Sequence, residues 1–509
     1  MKSTGIKYMA VLLVVLMAAC GKDFLEVDPK GQFLESNYYK NQEEAFNGLV
    51  AVYDVIGWQA GGYLTKIGTA NCGSDDHLAG GGGPSDIMPY QVISDYSLSP
   101  EVGPQGEMWK KGFAGVFRAN ILLAKLPEVP MDDNLKKRFA AEARFLRAYF
   151  YFDLVRFFKS VPLLLEPVSA SEMYNVEQTD AATVYAQIEK DINESLPDLP
   201  ATVPASTEGG RATKAMAYGI LGKVLLWQKK YAPAAAAFAE VSGTPGATGP
   251  FGHRLLSNFG DLFKVNNKFN AESVFEINFT NTSVGIWDCT GCTEGNLLQI
   301  LVGPRGYNRL DQTAPDYVSG WSFMPITQSL VDAFGNDPRK AATVADIQAL
   351  EDAGRVTYNK GHNNTGYFIE KLAGRESYKW TGAGNMELNF PLNMYELRLA
   401  DLYLLEAEAL LVGGGDQNRA TALFNAVRDR AWGNDQHRLP LTLDNLKKER
   451  RLELAAEGHR YFDLIRWGDA PVVLKDKGFE AHRNEYLPIP LLEMENTRIQ
   501  QISEWGGDK

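Results

Sequence analysis

The sequence predicts a mostly α fold: a tetratricopeptide-like helical-repeat scaffold, an α–α superhelix, with large irregular loop insertions carrying short strands. Three observations predict it. Apolar stripes at helical spacing dominate the chain, strand-like alternation is scarce, and two tracts rich in Gly, Pro, Asn and aromatic residues interrupt the helical pattern.

Lys2 and Lys7 open the chain as a basic segment, and an apolar run over residues 8–19 ends in small residues before Cys20. A run of about a dozen residues falls short of the ~20 needed to span a bilayer, and its flanks are those of a signal peptide. Leu16-Met17-Ala18-Ala19-Cys20 resembles a bacterial lipobox, with Met17 where Leu is more usual. Residues 1–19 are therefore read as a lipoprotein signal peptide, Cys20 as the lipidation site, and residues 20–509 as one domain. Gly21-Lys22-Asp23 looks like a lysine–acid signal for the cell surface.

The composition, 45% hydrophobic and 22% charged, is that of a globular protein with a large core. A formal net charge of −12 with no Lys/Arg block argues against nucleic acid, whose phosphates need a basic stripe.

The clearest helix covers residues 132–158. Phe139, Ala143, Leu146, Phe150, Leu154 and Phe157 recur at spacings of three and four, as one buried stripe requires. It stops before Val161-Pro162, where proline would clash with the preceding turn. A second helix, over residues 182–196, ends at Pro197. In residues 214–241, Tyr218, Leu221, Gly222 and Leu225 are followed by Tyr231, Ala234, Phe238 and Val241, the large and small packing positions of a tetratricopeptide repeat. Gly222 and Ala234 would let two antiparallel helices approach while aromatics fill the space beside them. Residues 398–431 repeat the pattern with Ala407, Leu410, Ala420, Phe424 and Val427. Ordinary helical hairpins would satisfy the same spacings.

The two interrupting tracts run over about 57–104 and 243–391. Loops longer than about 15 residues are uncommon unless functional or disordered, and the Trp and Tyr content of both tracts argues against disorder.

The C-terminal third carries a family resemblance. Residues 397–409 (Leu397-Arg398-Leu399-Ala400-Asp401), residues 423–431 (Leu423-Phe424-Asn425-Ala426-Val427-Arg428) and, most specifically, residues 448–468 (with Glu457-Gly458-His459-Arg460-Tyr461-Phe462-Asp463) resemble the conserved block of the SusD/RagB-like family of outer-membrane nutrient-binding lipoproteins. Upstream, Glu142-Ala143-Arg144-Phe145-Leu146-Arg147, Pro162-Leu163-Leu164, Arg211-Ala212-Thr213 and Glu272-Ser273-Val274-Phe275-Glu276-Ile277 fit the same family in order. Leu487-Pro488-Ile489-Pro490 is present, but Asn496 to Lys509 diverges from the family's Asn-Pro-containing close.

The resemblance implies a cell-surface oligosaccharide-binding subunit without bond chemistry or cofactor. Such proteins cap a SusC-like TonB-dependent transporter and pass the captured glycan to it. A peptide-binding member of the family and, less favoured, a secreted glycoside hydrolase with loop carboxylates as acid and base are the alternatives. By spacing, Arg450, Arg451, Glu453 and Glu457 suit ion pairing along one helix. Glu457 and His459 together suggest acid–base chemistry, but the resemblance assigns that segment to the scaffold.

A sugar site needs flat aromatic faces and a few polar groups. Trp287-Asp288, Arg305-Gly306-Tyr307 and Asp316 to Trp321 cluster within forty residues, with Gly303, Gly306 and Gly320 allowing tight turns. The candidates are Trp287 and Trp321 first, then Tyr307 and Arg305, then Asp76 and Tyr90. The last two come from the family's first insertion, which here corresponds to Asn71, Asp75-Asp76-His77 and Tyr90. Trp109 and Trp467, inside helical patterns, are assigned to core.

Beyond Cys20, the cysteines are Cys72, Cys289 and Cys292. Export favours a disulfide; free thiols, or a zinc site with His77 built on the Cys289–Cys292 spacing, stay open. Asp75-Asp76 is a calcium candidate whose full set of oxygen ligands is not visible.

Overall fold

The computed structural model describes residues 38–169, 171–289 and 293–507, the side chains at 59–61 excepted. Residues 1–19, Cys20 and Cys292 lie outside the described residues.

Seven long helices pack in succession, each on the next: α1 (Gln42–Gly61) on α4 (Gln105–Lys125), α4 on α5 (Asp133–Phe158), α5 on α6 (Ala181–Ser195), α6 on α7 (Lys214–Trp227), α7 on α8 (Tyr231–Ser242), and α8 on α9 (Leu399–Val412). α10 (Gln417–Trp432) closes the series against α9. Polar caps mark where these helices begin. Asp132 Oδ1 accepts from the N–H groups of Asn134 and Leu135, both at 3.0 Å, and Thr213 and Asp416 do the same for α7 and α10. Each satisfies N–H groups that the first helical turn leaves unpaired.

α5 is the central rod. Its single apolar stripe is a fair account of residues 133–144, but from Phe145 to Phe158 every residue is buried, Arg147, Asp153 and Arg156 included. Those charged groups are paired: Arg147 donates to Asp191 at 2.8 Å through both Nε and Nη2, and Lys66 reaches Asp153 at 2.8 Å.

The small positions act as the repeat pattern requires. A Cβ on Gly222 would run into the Phe238 ring, and one on Gly115 into the Phe150 ring. Gly222→Val is therefore expected to destabilise the protein by ~1–3 kcal/mol through overpacking, read as a lowered midpoint in urea. An unchanged midpoint would refute the close α7–α8 approach.

The chain leaves the array after α8 and returns at α9, and both ends of this excursion are tied. β1 (Ser273–Ile277) pairs antiparallel with β6 (Met394–Arg398), Ser273 opposite Arg398 and Ile277 opposite Met394, with an irregularity around Phe275. All ten residues are buried. Beyond this ladder, β2 (Asn308–Arg309) pairs with β4 (Val356–Thr357), and β3 (Val344–Asp346) with β5 (Tyr367–Ile369). These small ladders enclose a satellite core that includes Tyr307, Tyr317, Ile347, Tyr358 and Phe368.

The tract over 57–104 is not all loop. It holds α2 (Lys66–Cys72) and α3 (Met88–Ser94), and it is stitched to the second insertion by isolated bridges, His77 to Ile326 and Gly80 to Phe323. The two insertions therefore meet, although they are far apart in sequence.

The signature segment forms α11 (Leu443–Glu453) and α12 (Arg460–Trp467). Here the expectation of ion pairing along one helix is corrected. Arg450 donates to Asp463 and Asp401, each at 2.8 Å, and Arg451 to Asp76 at 2.7 Å. Glu453 accepts from Arg339 at 2.8 Å, from Arg398 at 2.5 Å and from Arg430; Glu457 accepts from Lys371 at 2.8 Å and Arg398 at 2.9 Å. Buried charges must find full hydrogen-bonding partners, and those partners sit on other elements. Among the described residues no helix is long and apolar enough to cross a membrane.

Candidate ligand-binding site

Three segments converge at the junction of the insertions. The first carries Tyr63, just past α1 and ahead of the α2 cap Thr65. Tyr90, in α3, holds it from behind: its hydroxyl donates to the Tyr63 carbonyl at 2.8 Å and accepts from the Thr65 N–H at 3.1 Å.

The second segment carries Trp287. Its N–H donates to Asn385 Oδ1 at 3.2 Å, and Asn389 grips Gly285 two residues earlier, donating to its carbonyl at 3.1 Å. Cys289 is disulfide-bonded close by. The third carries Trp321, whose N–H donates to the Ile300 carbonyl at 2.9 Å, with Ser322 and Phe323 continuing onto Gly303 and Leu301. Gly303 and Gly320 serve close approach rather than a turn: a Cβ on Gly303 would lie 3.1 Å from the Gly320 Cα, and one on Gly320 would collide with Gly303.

The result is a cluster of three rings. Ring centroids are 5.5 Å apart for Tyr63–Trp287, 5.9 Å for Tyr63–Trp321 and 6.0 Å for Trp287–Trp321, with interplanar angles of 32°, 24° and 24°. Three nearly parallel rings in a column would place the outer pair at twice the spacing of the inner pairs. Equal spacings exclude a column: the rings form a triangular cluster in which Trp321 stacks, with an offset, against both Tyr63 and Trp287, and the ring surface this cluster leaves uncovered is the aromatic face. Tyr63 is 41% exposed and both tryptophans are half-buried.

Polar groups edge this face. Arg305 Nη2 donates to the Trp321 carbonyl at 3.0 Å and lies 3.7 Å from Asp86 Oδ2, which accepts from the Gly82 N–H at 2.7 Å. Partial burial, then the neighbouring Glu387 and Asp86 carboxylates, push the Tyr63 hydroxyl pKa upward, so the phenol stays a neutral donor. Apolar ring faces beside carboxylate acceptors and a guanidinium donor suit a ligand with a flat C–H face and a rim of hydroxyls.

Of the residues expected from sequence, Trp287, Trp321 and Arg305 are brought together here. The other three are not, which corrects the expectation. Tyr307 is 7% exposed in the satellite core, its hydroxyl donating to the Pro315 carbonyl at 2.7 Å. Asp76 is 1% exposed and bound to Arg451. Tyr90 is fully buried and acts only through Tyr63. Tyr63, Asp86 and Glu387 were missed; the Gly61-Gly62-Tyr63 sequence, an aromatic behind two glycines in the first insertion, was the available signal.

The remaining candidates are also placed. Cys72 is a buried free thiol, its pKa pushed up to about 12 by burial, which removes it from the disulfide set. Asn71 holds the signature segment, donating to the Ala456 carbonyl at 3.1 Å. Asp75 is bound to Arg460 at 2.8 Å. Burial lowers the pKa of His77 to about 4, and its Nδ1 lies 3.1 Å from the Met324 carbonyl oxygen. No group of three or more His, Cys, Asp or Glu side chains fit to hold a metal occurs among the described residues. His459 is buried, its pKa likewise lowered to about 4, with Nδ1 3.9 Å from Asp401.

Fold and site together define a class: helical-repeat proteins that present a loop-built aromatic face. Two family models match this chain, "SusD family" over residues 271–497 and "Starch-binding associating with outer membrane" over residues 32–226. A solved laminarin binding SusD-like protein is 46% identical, with a TM-score of 0.88 over 91% of this chain and 99% of that one. Surface glycan-binding protein A from Bacteroides thetaiotaomicron in complex with laminarihexaose is 25% identical, with a TM-score of 0.79 over 89% of this chain and 97% of that one. SusD-like protein P2 of Formosa agariphila is 26% identical, over 95% of this chain and 96% of its own length. The chain belongs to the SusD family.

Proposed function

We propose that this protein is a glycan-binding lipoprotein of the outer membrane that captures a β-1,3-linked glucan and performs no bond chemistry on it. The observation that carries this reading is the three-ring face of Tyr63, Trp287 and Trp321 with its Asp86, Arg305 and Glu387 rim. Pyranose rings lay their C–H faces on the aromatics while hydroxyls reach the rim. The laminarin named for a solved relative and the laminarihexaose bound by another support the β-1,3 linkage. Acyl chains on Cys20 hold the protein at the cell surface, more than one chain being needed for a lasting anchor. A SusC-like TonB-dependent transporter receives the captured oligosaccharide.

Titration calorimetry with laminarihexaose, maltohexaose and cellohexaose tests the reading. Laminarihexaose is expected to bind at least tenfold more tightly than the other two, with no reducing ends released on prolonged incubation with laminarin. Equal binding of all three would remove the linkage assignment, and released reducing ends would remove the binding-only role.

A further inference from the structure

A recess adjoins the aromatic face on the side of Tyr63. Its volume is about 610 Å³, within the ~300–1,000 Å³ common for small-ligand sites. Tyr63 belongs to both face and recess. Thr293 and Leu388, which also line it, adjoin the Trp287 loop and the rim residue Glu387. The opposite wall comes from α1 and α4, through Trp58, Glu107, Lys111 and Ala114.

We propose that this recess is a second sugar subsite, taking a hexopyranose unit that leaves the stacked run either as a branch or as the end of the chain; this rests on the glucan-binding reading above. Trp58 is the main reason. The Arg118 guanidinium lies 4.5 Å from its ring centroid and is itself held by the Ala51 carbonyl at 2.6 Å and Asp54 at 2.8 Å, so the indole rests on a held cation. Its Nε1–H is buried, yet has no hydrogen-bond partner among the described residues. A buried donor left unpaired is costly; no solvent reaches it with the indole as placed, so a sugar hydroxyl in the recess satisfies it only once the indole turns toward the recess. Polar groups of both signs line the wall: Glu107 is partly exposed, and Lys111 lies 3.5 Å from it while donating to the Leu64 carbonyl at 2.6 Å. Half-buried Ala114, on the same wall, leaves room where a larger side chain would fill it. Aromatic side chains beside a carboxylate acceptor and an ammonium donor are the same chemistry as the outer face and fit the same class of ligand.

The test uses two variants and two ligand sets. Ala114→Phe fills the recess; Trp58→Phe keeps an aromatic ring against Arg118 and removes the N–H together with the five-membered ring that carries it, which guards against a folding artefact. Each is titrated, beside the wild type, with linear β-1,3-glucans of three to eight units and with laminarihexaose bearing one β-1,6-linked glucose. A loss of at least fivefold confined to the branched heptasaccharide identifies the occupant as a branch. A loss of the same size confined to the longer linear chains identifies a chain end. If both variants bind every glucan as the wild type does, while Tyr63→Ala weakens them all, the subsite does not exist and the face alone binds. If the wild type binds no β-1,3-glucan, the underlying reading fails and takes the subsite with it.

Discussion

Replacing Trp287 and Trp321 together by alanine is expected to weaken laminarihexaose binding by at least ~100-fold. Truncating an aromatic anchor at the centre of a binding face costs ~2 kcal/mol or more, and every 1.4 kcal/mol is about tenfold in affinity. Two independent losses would multiply to about a thousandfold. The rings touch, at 6.0 Å between centroids, so the losses are coupled and the lower figure is the bound to hold. Each single change should cost roughly 10- to 30-fold on the same arithmetic. Tyr307→Phe is the internal control. Its hydroxyl is spent on Pro315 inside the satellite core, so affinity should stay within about twofold of wild type. A double variant that binds normally, or a Tyr307→Phe that does not, would move the site away from the three-ring face.

That contrast shows what was legible in the sequence. The helix over 132–158 was readable from its apolar spacing and from Val161-Pro162 beyond its end, and the structure places it at Asp133–Phe158. Trp287 stood out because polar, aperiodic sequence around it offered no element to bury it in, and Trp321 because it closes an aromatic cluster beside Gly320. The same reasoning misled at Tyr307. Arg305-Gly306-Tyr307 reads as exposed loop, yet the β2–β4 and β3–β5 ladders fold over it and build a core that no local pattern announces. Asp76 and Tyr90 were drawn from the family's first insertion, but the bridges at His77 and Gly80 draw their segment under the second insertion. Tyr63 was hidden for the complementary reason: its partners lie in another insertion, and only the tertiary meeting of the two gives it a role. The charges of the signature segment satisfied the spacing of a surface ion-pair ladder just as well as they satisfy the buried network they form. Spacing records which residues share a helix face, not what that face meets.

The buried network should dominate stability. Glu453→Ala is expected to cost ~3–5 kcal/mol, because removing one member of a buried charge cluster leaves the others uncompensated. Its side chain is fully buried and accepts from Arg339, Arg398 and Arg430, three guanidiniums with almost no access to water. Arg438→Ala, which breaks a pair whose arginine side chain is 54% exposed, should cost no more than ~1 kcal/mol. The same network sets the response to acid. Burial alone would raise the pKa of Glu457, but Arg398 and Lys371 outweigh it and hold the carboxyl down to about 2, against 4.5 for an ordinary glutamate. Its contribution is therefore complete above pH 4.5 and is lost as pH falls toward 2. His77 and His459, kept neutral down to about pH 4 by burial, act earlier: between pH 6.5 and 4 the unfolded chain binds protons that the folded one refuses. For all three groups the unfolded state takes up more protons, so these groups withdraw stability as pH falls from 6.5 to 2, by ~1.4 kcal/mol per pH unit for each net proton. Urea midpoints across that range, for wild type and Glu453→Ala, provide the measurement. A wild type equally stable at pH 4 and pH 7 would mean that His77 and His459 are not buried as this packing places them, and a Glu453→Ala variant with an unshifted midpoint would mean that the arginines around Glu453 are solvated in a way this packing does not allow.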